Sequence, residues 1–193
     1  NGITEKPIIE IPFWVNQNLW YFKNDKHNIR KKYNLESSDF LIGSFQRDTE
    51  GKDLISPKLS KGPDRFIEII KYLKENTPNL HVVLTGKRRQ YIIENLNKNG
   101  IKFSYFEMTN FEELNDLYNI LDLYVVASRV EGGPQSILEC ALTKTPIIST
   151  DVGVASKILS KESIFDMDNF FDATPDTQAA YLNVKRYTIP EGF

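Results

Sequence analysis

Ser128-Arg-Val-Glu-Gly-Gly-Pro-Gln-Ser-Ile-Leu-Glu-Cys-Ala-Leu142 is the stretch on which the fold turns. Before it runs Leu121-Asp-Leu-Tyr-Val-Val-Ala127, short, apolar and β-branched enough for a buried strand. After it the apolar spacing changes, and Ile137, Leu138, Ala141 and Leu142 fall on one helical face. The chain is therefore expected to leave a strand, turn through Glu131, Gly132 and Gly133, and enter a helix with Pro134 near its first position. A helix start offers unpaired N–H groups and a positive dipole end, and the glycines allow close approach of a ligand. Glu131 falls at the carboxyl end of the strand, where open α/β sheets bind ligands. Glu139 lies further into the helix, and its carboxylate can accept two hydroxyl hydrogen bonds. A ligand with several hydroxyls and a phosphate suits such a pair. The plain alternative is an ordinary strand-loop-helix with two solvated glutamates.

Glu131 and Glu139, set seven residues apart within Ser-Arg-Val-Glu-Gly-Gly-Pro-Gln-Ser-Ile-Leu-Glu, resemble the E-x7-E signature of retaining GT-B glycosyltransferases, glycosyltransferase family 4 in particular. The resemblance runs from about residue 8 to the end and matches the C-terminal, donor-binding domain of that family. It implies that residues 1–24 are an interdomain linker and N-terminal extension, that residues 25–193 bind the donor, and that an N-terminal acceptor domain lies outside this chain. The fold implied is one half of GT-B, a doubly wound parallel sheet.

The periodicity agrees with that class. Strands are expected at residues 40–45, 81–86, 102–107, 121–127 and 145–150, alternating with helices at 25–33, from 62 onward, at 90–99, 111–121 and after Pro134. A last helix is expected within 174–186. Phe66, Ile69, Ile70 and Leu73 give the second helix its apolar face, and Phe111, Leu114, Leu117 and Tyr118 the fourth. Residues 8–12 read as extended. Of the aromatics Phe13, Trp14, Trp20, Tyr21 and Phe22, most are expected in the core and a minority toward the absent domain.

By resemblance, Arg47 and Lys61 clamp the donor diphosphate, and Glu131 holds the hydroxyls of the sugar ring. Cleavage of a sugar–phosphate bond builds charge on the leaving diphosphate, which fixed cations stabilise. The loop between Arg47 and Lys61 exceeds the usual family spacing, so Lys52 and Lys58 compete with Lys61. Glu139 would hold the ribose, and the backbone of Gly132, Gly133, Gln135, Ser136 and Ile137 would position sugar and phosphate. Gly86 and Lys87 would stand at the crevice rim, and the loop from Phe106 through Met108 would meet the base. Gly153-Val-Ala-Ser-Lys157 departs from the Gly-Gly…Pro-Glu pattern usual in the family.

Composition sets outer bounds. With 193 residues, 40% hydrophobic and 26% charged, the chain is an ordinary globular sequence. A net charge of −2 argues against nucleic acid as a partner, and Lys87-Arg88-Arg89 reads as a solvated turn. Cys140, the single cysteine, is expected to pack as a small apolar group. Neither a bilayer-spanning stretch nor a signal peptide is read, so the expected location is the cytoplasm, with the inner face of the membrane as a further option. His27 and His81 have no evident sequence partners for a metal or a catalytic dyad.

The resemblance implies transfer of a sugar from a nucleoside-diphosphate sugar (a UDP- or GDP-sugar) to an acceptor hydroxyl, with no cofactor and no metal. The acceptor, a glycan, lipid or protein, would come through the absent domain, as would any peripheral membrane association. Glycan or glycolipid synthesis is the implied setting, and this chain alone is expected to be inactive. A non-catalytic nucleotide-binding module and a GT-B sugar-nucleotide epimerase are the alternatives. A glycosidase using Glu131 and Glu139 as acid and base fits less well, because Glu139 is better placed to accept hydroxyls.

Overall fold

The computed structural model describes residues 13–190. The extended segment expected at 8–12 lies outside them. Helix α1 (Lys26–Lys32) precedes β1 (Phe40–Ser44), and a single 3-10 turn at Leu59–Lys61 leads into α2 (Pro63–Asn76). Then come β2 (Leu80–Thr85), α3 (Gln90–Lys98), β3 (Lys102–Phe106), α4 (Phe111–Ile120) and β4 (Leu123–Val126). The chain continues through α5 (Gln135–Thr143), β5 (Ile147–Thr150), α6 (Ala155–Ile158), β6 (Ile164–Phe165) and α7 (Thr177–Val184).

The six strands form one sheet in the order β3-β2-β1-β4-β5-β6, with every pairing parallel. β1 lies at the centre, with Gly43 opposite Val83 on one side and Tyr124 on the other. Successive strand residues point to opposite faces. Leu41, Val83, Tyr124 and Val126 join one buried cluster with α4, α5 and α7. Ile42, Val82, Leu84, Leu123 and Val125 join a second, with α2 and α3. Helices on both faces of a parallel sheet make the doubly wound architecture expected from the alternating pattern. The strand order reverses between β1 and β4, so the crevice for a ligand opens at their carboxyl ends.

Several expectations need correction. Five strands are read from the sequence, and the sixth, β6, is a two-residue edge strand too short to show periodicity. Pro134, expected near the first position of α5, stands one residue before it as the N-cap, with φ −64° and an extended ψ of 113°. Phe111, assigned to the buried face of α4, is 62% exposed, because it opens the helix, where its ring meets Trp20 edge-on. Of the five aromatics near the start, Trp20 alone is buried, while Phe13, Trp14, Tyr21 and Phe22 are each more than two-fifths exposed. The Lys87-Arg88-Arg89 cluster is not a solvated turn throughout, since Arg89 is wholly buried.

Residues 20–23 lie against α4. The Lys23 amide donates to Asn119 Oδ1 at 2.6 Å, and its ammonium stands 2.6 Å from Asp116. Cys140 is buried in the core, as expected of a small apolar group.

Candidate functional site

A glycine fixes the geometry of the crevice. Gly62, with φ +62°, joins the 3-10 turn to α2. A Cβ there would fall 1.8 Å from the Ala127 carbonyl oxygen, so only glycine allows the start of α2 to press on the end of β4. The same contact is stitched by Arg129 N–H donating to Ser60 O at 2.9 Å and by Arg129 gripping Asp64 through two bonds of 2.7 and 2.6 Å. The β1–α2 loop and the β4–α5 loop are thereby held edge to edge. That contact brings Lys61 to Glu131.

Lys61 Nζ lies 2.6 Å from Glu131 Oε2, and Ser128 Oγ donates to Glu131 Oε1 at 2.8 Å. Both oxygens of a largely buried carboxylate are therefore held. Below them a cavity of about 280 Å³ reaches down between α4 and α5, walled by Lys61, Glu131, Tyr118, Tyr124 and Glu139, with Gln135 and Ser136 at the start of α5. The amides of Gln135 and Ser136 stand in the first turn of α5, where no intrahelical acceptor exists.

Glu139 sits deep in this wall. Tyr118 Oη donates to its Oε2 at 2.6 Å. Burial pushes the Glu139 carboxyl up to about 7, against the pull of the Tyr118 hydrogen bond. Burial, then the Glu139 charge, raises Tyr118 well above the usual phenol range, so it stays a neutral donor. Tyr124 is raised by burial as well, and its oxygen accepts the Phe45 amide at 2.9 Å.

The other expected site residues are dispersed. Among the three competing lysines, Lys61 is the one in the cavity wall. Lys52 and Lys58 lie outward on the loop, which is closed by a bridge between Thr49 and Pro57. Arg47 is exposed and does not line the cavity, and the same holds for Lys87. Gly86 has φ +81°, and its carbonyl accepts Tyr105 Oη at 2.9 Å. Phe106 packs its ring edge-on to Tyr33, and Met108 is 73% exposed. Gly132 is open, whereas Gly133 is covered by the Phe13 ring and backed by Gly153. The Ile137 side chain belongs to the core, and its amide bonds Pro134 O at 3.1 Å, so neither group faces the cavity.

Tyr118, Tyr124, Gln46 and Ser128 escape the sequence reading. For Tyr118 a signal exists, because a tyrosine on the buried face of a helix must find a partner for its hydroxyl. A fixed pair behind the Arg47 loop is missed too. Arg89 lies with its Nε 3.1 Å from Asp48 Oδ2, bonds Ser44 Oγ at 3.3 Å and reaches the carbonyl of Gln46. Burial pushes Asp48 up to about 6, with Arg89 and the amides of Tyr91 and Ile92 pulling the other way.

His81 has partners after all. Its Nδ1 lies 2.7 Å from Asp39 Oδ2 and its Nε2 3.0 Å from Ser104 Oγ. They stand near the amino ends of β1, β2 and β3, away from the crevice. Among the described residues no group of three or more His, Cys, Asp or Glu is placed to hold a metal, and no helix is long and apolar enough to cross a membrane.

Comparisons with known proteins agree with the fold. The chain is 24% identical over 143 residues to the lipopolysaccharide core biosynthesis mannosyltransferase of Rhizobium meliloti, covering 70% of this chain and 38% of that protein. It is 26% identical over 172 residues to the alpha-galactosylglucosyldiacylglycerol synthase of Streptococcus pneumoniae, covering 82% and 41%. The chain thus spans about two-fifths of the length of these curated relatives. The C-terminal domain of a group 1 glycosyl transferase from Francisella tularensis superposes with a TM-score of 0.71 at 17% identity, covering 91% of this chain and all of that one. Anabaena HepE in complex with UDP-glucose superposes with a TM-score of 0.65 at 17% identity, covering 91% and 52%. The family described as Glycosyl transferases group 1 matches residues 25–182, and the chain belongs to it.

Proposed function

We propose that this chain is the donor-binding half of a retaining glycosyltransferase that takes its sugar from a nucleoside-diphosphate sugar. The observation that carries the reading is the meeting of Lys61 and Glu131 at the mouth of a cavity whose depth holds Glu139. Lys61 takes the diphosphate, with Arg47 on the adjoining loop reaching over it. Glu131 accepts the hydroxyls of the sugar, Glu139 those of the ribose, and the first turn of α5 presents its amides to sugar and phosphate.

Two relatives act on glycolipid-type products by their names, and one similar structure holds UDP-glucose. These support a UDP- or GDP-sugar as donor and glycan or glycolipid synthesis as the setting. The acceptor binds with the other half of the enzyme, at the cytoplasmic side of the membrane, and the anomeric configuration is kept. No metal takes part in the reading. Loss of transfer in chelator, restored by a divalent cation, would count against that point.

Thermal stability with UDP, GDP, ADP and CMP, each beside Glu139→Ala, tests the site. A ligand that binds only the folded form contributes about 2.7 kcal/mol at a hundredfold over Kd. One diphosphate is expected to raise the wild-type midpoint and to lose most of that effect in the variant. No shift with any nucleotide, in this chain and in the protein joined to its N-terminal half, sinks the reading.

A further inference from the structure

The hydroxyl of Tyr118 is aimed at one oxygen of Glu139, 2.6 Å away, and nothing else among the described residues bonds either carboxylate oxygen. The ring that carries it cannot swing aside. It is packed against Phe45 at 4.8 Å, Tyr124 at 5.5 Å and Trp20 at 5.7 Å between centroids. Its backbone carbonyl accepts Thr145 Oγ1 at 2.8 Å. A carboxylate on a short helix would otherwise rotate freely about its last torsion, which is broad for Glu.

We propose that Tyr118 is a positioning residue for nucleotide binding: it holds Glu139 Oε2, fixes the carboxylate plane and leaves Oε1 as the open acceptor for the ribose diol. The proposal rests on the donor-site reading and deepens it.

A positioned carboxylate must also be ionised, since a protonated one offers its hydroxyl as a donor in place of an acceptor. Burial works against ionisation here, and the Tyr118 hydrogen bond works for it. The other titratable groups that sense Glu139 are Tyr124 on β4 and its neighbour Cys140, both raised by burial and neutral. Lys61 and Glu131 share the cavity and are engaged with each other. So Tyr118 is the one group that holds the charged form in place, and its removal moves the pH at which nucleotide binds.

Calorimetric titration of this chain with UDP and with GDP, from pH 5.5 to 9, reads the effect. For wild type, affinity for the nucleotide that binds is expected to rise through pH 7, to roughly tenfold tighter at pH 8 than at pH 6. In Tyr118→Phe the step moves to higher pH, so at pH 7 the variant binds several-fold more weakly and recovers part of that loss by pH 9. Replacing Tyr118 with a difluorotyrosine keeps the ring shape and strengthens the donor, and moves the step to lower pH. That second replacement decides the matter even where the phenylalanine variant does not fold. Steps that coincide with the wild-type step overturn the positioning role while leaving the donor site intact. Absence of binding by wild type at every pH, in this chain and in the protein joined to its N-terminal half, overturns the donor-site reading, and this proposal with it.

Discussion

Lys61 and Glu131, seventy residues apart in sequence, form an ion pair of 2.6 Å in which the glutamate side chain is 8% exposed and the lysine side chain 26%. On the proposed reading, a donor phosphate would compete with Glu131 for Lys61, and the pair would exchange partners on binding. Lys61→Ala leaves Glu131 with Ser128 as its remaining partner. The expected cost is about 1–2 kcal/mol, less than for a fully buried pair because Lys61 reaches solvent. A urea midpoint that falls with unchanged slope reads this, and binding of UDP should weaken at least tenfold while uridine is unaffected. Equal losses for uridine and UDP would place Lys61 outside the phosphate site.

Glu139 gives the chain a pH dependence of definite sign. Its carboxyl is raised from 4.5 to about 7 on folding, so the folded state holds its proton where the unfolded state has released it. Stability from this group is therefore greatest below about pH 4.5 and declines as pH rises through 7, by at most about 3 kcal/mol. Glu139→Gln removes the titration. The variant should show a flatter stability curve between pH 5 and 7 and exceed wild type at pH 8. Parallel curves for the two proteins would show that Glu139 does not titrate in this window.

Gly62 and Gly86 both have positive φ, yet their replacement should differ sharply. At Gly86 an added Cβ meets nothing within 4 Å, and Gly86→Ala should cost about 1–2 kcal/mol for backbone strain alone. At Gly62 the same atom meets the Ala127 carbonyl, so Gly62→Ala should cost about 3 kcal/mol or more and separate Lys61 from Glu131. Equal chemical-denaturation midpoints for the two variants would refute the close approach of α2 to β4.

The Asp48–Arg89 pair anchors the loop that carries Arg47. Arg89→Leu strands Asp48 in the interior, for an expected loss of about 3–5 kcal/mol. Asp48→Leu with Arg89→Met should restore much of that stability, because the penalty arises from the uncompensated charge. A double-mutant cycle with no coupling would show that the two side chains do not act together.

The sheet was legible because its central strands are apolar runs bounded by glycine and polar loops, and five of six could be placed within two residues or so. β6 was not, since Ile164 and Phe165 alone carry no period. Glu131 and Glu139 could be singled out from motif and spacing, while Lys61 was one of three competing lysines; the cavity wall holds Glu131, Glu139 and Lys61. What sequence hides is the second partner of each. Tyr118 reads as one more apolar residue on the buried face of α4, and Arg89 as one more charge in a basic run. Their roles follow from packing between elements distant in sequence, which spacing along one helix cannot reveal.

The first and last described segments pair with each other: Val15 bridges Thr188, its amide donating to Tyr187 O at 2.8 Å, and Ile189 returns a bond to Val15 O at 3.2 Å. Residues 13–190 are thus drawn together at their two ends. A short linker from residue 190 to residue 13 would join those ends. A circular permutant opened in the exposed turn at Gly51–Asp53 should keep the same sheet, because the opening falls between β1 and α2 and interrupts no strand. A permutant with an unchanged sheet by circular dichroism would show that the order in which the ribosome delivers these elements is incidental.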